Sequence, residues 1–219
     1  GRILDLAGGT GYNSNFIQEY NDYSIDLVDI SKQMLKQCQN SSINKVCKGM
    51  LEFLTVQESC CYDAIVCTWA LMYEQPQKVL NQCQRLLKNG GYLYILVNDQ
   101  QTLPQIRKIY PKLLIEYVGS INKLMFDLPM PNNAQQLERW AKKAGLKNCR
   151  VTSKKQEFYF TDWNRAAKFV TSTGALAGYD AMLDLKNEKI FNTLVEQLQK
   201  FFTKPCITHH FVMGIFKKG

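Results

Sequence analysis

The chain opens Gly1-Arg2-Ile3-Leu4-Asp5-Leu6-Ala7-Gly8-Gly9-Thr10-Gly11, and these eleven residues frame everything downstream. Ile3, Leu4 and Leu6 suit a parallel strand buried on both faces. Gly8, Gly9 and Gly11 then permit a tight turn with no Cβ to keep a ligand from bare backbone. The stretch Tyr12 to Tyr20 predicts a helix whose first amides point back at that turn. Strand, acid, glycine turn and helix in this order make a loop for a nucleoside-bearing ligand.

Working outward, Ser24 to Val28 reads as a second strand ending at Asp29-Ile30, and Ser31 caps a helix through Met34, Leu35 and Cys38. Val46-Cys47 is a third short strand, followed by a loop, and Tyr62 to Thr68 a central one. Pro76 starts a helix with Val79, Leu80, Cys83, Leu86 and Leu87 on one face. Asn89-Gly90-Gly91 is expected to end it, and Tyr92 to Val97 to form the next strand. Strands alternating with helices imply a doubly wound, Rossmann-like α/β fold with a mostly parallel sheet and right-handed crossovers.

Beyond residue 98 the pattern changes. Residues 99–132 carry Pro104, Pro111, Pro129 and Pro131 and read as a broken helix plus loop. Asn133 caps a helix through Leu137, Trp140, Ala141 and Ala144 that stops at Gly145. Val151 to Phe160 reads as a strand, and Asp162 caps a helix through Ala166, Phe169 and Val170. A further helix is expected over Asn187 to Phe202, with Ile190, Leu194 and Leu198 inside. His209 to Lys217 closes the chain as an antiparallel strand. The expectation is one domain over 1–219, with a cofactor half (1–98) and a substrate-side half (99–219) bearing inserted helices. Helices ahead of residue 2 are expected to be missing from this chain.

With 219 residues, 46% apolar and 21% charged, the composition is that of a soluble globular enzyme. No apolar run approaches the ~20 residues that span a bilayer. Net charge is +8, but residues 1–100 hold 8 basic and 10 acidic side chains (−2) and residues 101–219 hold 19 and 9 (+10). A basic distal half fits an acidic substrate, an acidic carrier, nucleic acid or a lysine-rich solvated surface. The eight cysteines include no Cys-x-x-Cys, and the two histidines are adjacent. That spacing predicts reduced thiols, no metal centre and a cytoplasmic location. Cys47, Cys67 and Cys83 are expected to pack as small hydrophobes. The vicinal Cys60-Cys61 pair, in a loop, is where oxidation could intrude.

Two positions narrow the ligand. Asp29 stands 24 residues beyond Asp5, at a strand end where a carboxylate accepts from ribose hydroxyls. A nicotinamide site wants a third glycine where this chain has Ser14, and no Gly-Lys-Ser/Thr offers a triphosphate site. A nucleoside cofactor without a pyrophosphate remains.

These residues resemble the class I S-adenosylmethionine-dependent methyltransferases. Asp5 to Gly11 is similar to that family's Asp-x-Gly-x-Gly-x-Gly, with Ala7 in place of the first glycine. Val28-Asp29-Ile30-Ser31 with Met34-Leu35 resembles its ribose-binding strand end, and Gly49-Met50-Leu51-Glu52 its Gly-Asp-Ala-Glu. Asp63 to Leu71 resembles its fourth-strand motif, and Arg85 to Gly91 its Arg-Val-Leu-Lys-Pro-Gly-Gly. The resemblance implies S-adenosyl-L-methionine as cofactor, with backbone at Ala7, Gly8, Gly9 and Gly11 along its methionine and ribose. It also implies that Asp5 holds the loop or the cofactor's ammonium, and that Asp29 takes the ribose hydroxyls. Ile30 and Met34 would lie on one face of the adenine, with Met50 and Leu51 on the other. Thr68 and Trp69 would stand near the reactive methyl. Met50 departs from the family pattern, whose acid accepts from the adenine amino group: either backbone atoms serve instead or adenine affinity is reduced, and plain core packing is the alternative for Met50 and Leu51.

Methyl transfer from a sulfonium is an in-line displacement that needs alignment and exclusion of water. A carboxylate acceptor needs no general base, whereas an amine or phenol does, and His209 or His210 could supply one. Tyr73 is a candidate for the acceptor pocket or else a packed aromatic. Phe158 to Trp163, followed by Phe169 to Ala175, resembles the small-acid O-methyltransferases that act on malonyl-carrier protein or trans-aconitate. The expected partner is therefore a small-molecule or carrier-bound acidic acceptor, the chain being monomeric or a homodimer. Two alternatives stand beside it. One is a nucleic-acid methyltransferase using the basic half. The other is a non-catalytic methyltransferase-like subunit whose exposed aromatics at 158–163 meet a partner.

Overall fold

The computed structural model describes residues 1–20, 22–122, 128–173 and 176–219, without the side chains of residues 177, 178 and 180. The opening run folds as β1 (Arg2–Leu6) and α1 (Tyr12–Tyr20). There follow β2 (Ser24–Asp29), α2 (Lys32–Leu35), β3 (Asn44–Cys47), α3 (Met50–Val56), β4 (Tyr62–Thr68), α4 (Pro76–Leu86) and β5 (Leu87–Asn98). The remainder gives α5 (Pro104–Glu116), α6 (Ala134–Lys143), β6 (Leu146–Tyr159), α7 (Trp163–Ser172), α8 (Ala177–Met182), α9 (Glu188–Phe201) and β7 (Cys206–Lys218).

The seven strands form one sheet in the order β3-β2-β1-β4-β5-β7-β6. β1 to β5 pair in parallel, and β7 runs antiparallel to β5, from Tyr92 opposite Lys217 to Asn98 opposite Phe211. This is the doubly wound sheet with an antiparallel last strand that the sequence predicts. The chain winds one way from β1 to β3 and the other way from β4 onward. Its switch point lies between β1 and β4, where sheets of this kind open a crevice beyond their strand ends.

Local chemistry sets the helix starts. Ser31 Oγ accepts from Met34 N, Asn133 Oδ1 from Gln136 N, and Asp162 Oδ1 from Arg165 N. α4 begins on Pro76 and buries Val79, Leu80, Cys83 and Leu86 as one stripe.

Four expectations need correction. α3 occupies what reads as loop, because seven residues are too few to display a helical period. Asn89-Gly90-Gly91 does not end a helix; α4 stops at Leu86 and the three residues lie inside β5, where its pairing with β4 shifts register. α5 is one continuous helix despite Pro111, its buried Ile106, Ile109, Tyr110 and Leu113 holding it in an apolar core. Cys47 is exposed, because β3 is an edge strand; Cys67 and Cys83 are buried as expected.

The chain divides into two compact units. The first holds Gly1–Gln100, Pro129–Lys154 and Phe211–Gly219. Its sheet buries Leu4, Leu6, Ile65 and Leu93 completely. It also buries Asp26, whose carboxylate accepts from Arg2 Nε (3.0 Å), Tyr62 Oη (2.7 Å) and Asn44 Nδ2 (2.7 Å).

The second unit holds Gln101–Leu128 and Lys155–His210. Its core joins Ile106, Leu113, Val170, Leu194 and Ile207. Here the aromatics of 158–163 are packed, not presented. Phe158 and Phe160 meet Phe169 at 5.0 and 5.2 Å, and buried Trp163 donates from Nε1 to Phe202 O. Of this run's aromatics only Tyr159 is exposed. Gly174 and Ala175, the end of the small-acid motif, lie outside the described residues. Among the described residues no helix is long and apolar enough to cross a membrane.

Candidate functional site

A cavity of about 780 Å³ opens beyond the C-terminal ends of β1, β2, β3 and β4 in the first unit. Its floor is the glycine loop, where Gly8 N donates to Val28 O and Gly11 N to Gly8 O. A Cβ on Gly8 would stand 2.5 Å from both Asp5 Cγ and Leu27 Cδ1, so no other residue fits beneath the turn. Gly9, at φ +59°, faces open space. Ala7 adopts φ 55° without being glycine, a strained backbone at the cavity wall.

The two acids of the motif diverge. Asp29 Oδ2 accepts from Gly9 N (2.9 Å) and Oδ1 from Ser31 N (2.8 Å), which leaves each oxygen a further lone pair at the cavity. Asp5 is fully buried and does not line it. Asp5 Oδ2 accepts from Ser14 N (3.1 Å) and Ser14 Oγ (2.7 Å), pinning the start of α1 to β1, while Oδ1 has no partner. Burial outweighs those bonds and holds the Asp5 carboxyl above its ordinary 3.8. Asp5 therefore holds the loop. Ser14 stands at the third-glycine position because its hydroxyl is used here.

At the other end, Thr68 is the last residue of β4 and Trp69 follows it. Asn13 Nδ2 donates to Thr68 Oγ1 at 3.0 Å, tying α1 to the end of that strand. Trp69 has φ 61°, costly for an aromatic, and is held by its N–H to Leu96 O (2.6 Å) and an edge contact with Phe211. Tyr73 and Glu74 complete this end. Desolvation holds the Tyr73 phenol above its ordinary 10.0.

Residues 4–95 match the family model described as "Methyltransferase domain". Over 132 residues the chain is 28% identical to the ubiquinone/menaquinone biosynthesis C-methyltransferase of Francisella tularensis subsp. novicida (strain U112), covering 56% of this chain and 53% of that protein. It is also 28% identical over 112 residues to the malonyl-[acyl-carrier protein] O-methyltransferase of Herminiimonas arsenicoxydans, covering 51% and 42%. The matches thus span about half the length of these curated relatives. In fold it is similar to geranyl diphosphate C-methyltransferase from Streptomyces coelicolor A3(2), solved with S-adenosyl-L-homocysteine: TM-score 0.57, 12% identity, 100% of this chain and 72% of that one.

Residues 4–95 are thus similar to a methyltransferase domain, and the chain has the fold of solved methyltransferases. The geometry of the cavity suits S-adenosyl-L-methionine, the cofactor that the sequence resemblance implies. Gly8 and Gly9 bring backbone to the surface. Asp29 is oriented by two amides with a free lone pair on each oxygen, as two vicinal hydroxyls require. Ile30, Met34 and Met50 form an apolar wall beside it.

Of the residues singled out from sequence, Ala7, Gly8, Gly9, Asp29, Ile30, Met34, Met50, Thr68, Trp69 and Tyr73 line this one cavity. Asp5, Gly11 and Leu51 do not. Gly11 instead faces Leu27 and Cys38 beneath the loop. His209 and His210 belong to the second unit and are not among the lining residues. The His209 ring meets Phe158 edge-on, its buried Nε2 has no partner, and desolvation lowers its pKa below 6.5.

Sequence reasoning missed Tyr12, Asn13, Lys48 and Glu74, which also line the cavity. Position was the available signal: two follow the glycine turn, one precedes Gly49, and one sits two residues ahead of a helix-starting proline. Among the described residues no cluster of His, Cys, Asp or Glu could hold a metal ion.

Proposed function

We propose that this chain transfers the methyl group of S-adenosyl-L-methionine to a small-molecule or carrier-bound acceptor, at a carboxylate or other oxygen. The observation that carries the reading is the convergence of the glycine loop, Asp29 and the β4 end on one cavity at the sheet's switch point. When bound, the cofactor supplies an electrophilic methyl on a sulfonium. The chain's own task is then positional. Asp29 accepts from the ribose hydroxyls, Ile30, Met34 and Met50 enclose the base, and the Asn13–Thr68 bond fixes the wall beside the methyl. Trp69 and Tyr73 exclude water there and orient the acceptor for in-line attack.

The malonyl-carrier relative supports a carboxylate acceptor. Glu74 favours a neutral hydroxyl instead, because it would repel an anion at that end and can accept a hydroxyl proton.

Calorimetric titration with S-adenosylmethionine and S-adenosylhomocysteine tests the reading, and absence of binding at millimolar ligand overturns it. Asp29→Ala, which removes a charged acceptor from two hydroxyls, should weaken S-adenosylhomocysteine by about 10- to 100-fold. The acceptor class is then found by methyl-label transfer to panels of small carboxylates, phenols and carrier-linked acids.

A second reading, methylation of a nucleic acid, has one observation in its favour. Arg139, Lys142 and Lys143 on α6 and Lys147, Arg150 and Lys154 on β6 are all exposed. RNA binding that weakens steeply with salt, together with label transfer to RNA, would favour it.

A further inference from the structure

We infer that the base end of this cavity recognises a purine by shape and does not read its 6-amino group, and that Lys48 sets which purine is preferred. The inference deepens the cofactor reading and rests on it.

An exocyclic amino group is selected by a hydrogen-bond acceptor, and a 6-oxo group or ring nitrogen by a donor. The wall running from the end of β2 to the start of α3 consists of Asp29, Ile30, Met34, Lys48, Gly49 and Met50. Its one acceptor side chain is Asp29. Both of that carboxylate's oxygens are already engaged by the Gly9 and Ser31 amides, and their remaining lone pairs match the two ribose hydroxyls. Ile30, Met34 and Met50 offer only dispersion over a ring face, which every purine shares.

The remaining polar side chain is Lys48. Its backbone N–H donates to Asp29 O at 3.1 Å, fixing its Cα beside the end of β2. An ammonium has three donors and no acceptor. It can serve a ring nitrogen of adenine, and it serves O6 of hypoxanthine at least as well. Sites that hydrogen-bond a ligand N–H reject the analogue lacking it strongly, because the site's own group is left unpaired. No side chain on this wall imposes that penalty.

The test titrates the whole chain calorimetrically with S-adenosylhomocysteine and with its 6-oxo counterpart, S-inosylhomocysteine. The dissociation constants should agree within about fivefold, the spread of a single neutral hydrogen bond. Lys48→Ala should weaken the 6-oxo compound more than the adenine compound, because O6 loses its donor. Met50→Asp places a carboxylate acceptor on the wall and should move the ratio toward adenine by about tenfold.

A larger native preference for adenine overturns the inference while leaving the cofactor reading intact. An unchanged ratio in Lys48→Ala overturns the role of Lys48. Binding of neither compound at millimolar concentration overturns the cofactor reading and this inference together. Met50 is buried, and should Met50→Asp fail to fold, the native and Lys48→Ala titrations still decide the question.

Discussion

Three aspartates, Asp5, Asp26 and Asp99, are buried in the first unit, whereas the described core of the second buries threonine hydroxyls and no carboxylate. The first unit also holds Ala7 and Trp69, two non-glycine residues in the left-handed region, at the wall of its cavity. The buried carboxylates do not line that cavity: Asp5 pins the glycine loop, and Asp26 ties β2 to β1, β3 and β4. The second holds Leu103 at φ 52° ahead of α5 and is otherwise packed through Ile106, Leu113, Val170 and Leu194 and through ring contacts such as Tyr110 with Tyr179 and Phe158 with Phe169. The second unit is stabilised mainly by apolar contact.

The contrast can be broken at several points. Leu194→Ala, in the fully buried core of the second unit, should destabilise by about 3 kcal/mol in denaturant melts, because it leaves a cavity with no polar group to rearrange. In the first unit, Gly8→Ala should destabilise by about 2 kcal/mol through overpacking against Asp5 and Leu27. It should also abolish S-adenosylhomocysteine binding, a loss that Leu194→Ala need not share if the folded fraction is matched.

Two buried groups, one in each unit, should also answer pH with opposite sign. Burial holds His209 below its ordinary 6.5, so the unfolded chain takes up that proton first and stability falls as pH drops below 6.5. Burial holds Asp5 above its ordinary 3.8, so the folded chain takes up that proton first. Its cost is full above the raised pKa and relaxes as pH falls toward 3.8. Thermal melts between about pH 7.5 and 4 check this. Relative to His209→Asn the native protein should lose stability on acidification, and relative to Asp5→Asn it should gain. Equal slopes would remove the distinction between the two groups. The smallest effect is expected for Ala7→Gly, which relieves φ 55° and should stabilise by no more than about 1 kcal/mol.

Much of the first unit was legible because its signals are local. The order strand, glycine turn, helix, strand-end acid places Gly8, Gly9 and Asp29 on one cavity without any long-range information. What escaped is equally instructive. Asn13 and Thr68 are 55 residues apart, and nothing in either neighbourhood announces the bond between them. Asp5 carried two readings until burial and Ser14 decided for the loop. The aromatic run at 158–163 has the composition of a binding surface, yet Phe169 and Phe202 cover most of it, a matter of packing that composition does not encode.

From sequence alone came the parallel sheet, the glycine loop and the strand-end carboxylate of the cavity, because periodicity, glycine conformation and strand-end position act over a few residues. Only the tertiary structure decided that Lys48, Glu74 and Asn13 join that cavity, that Asp5 and Leu51 do not, and that the two histidines belong to another unit. Those outcomes depend on which distant segments the sheet order brings together, and on which polar atoms burial then leaves without water.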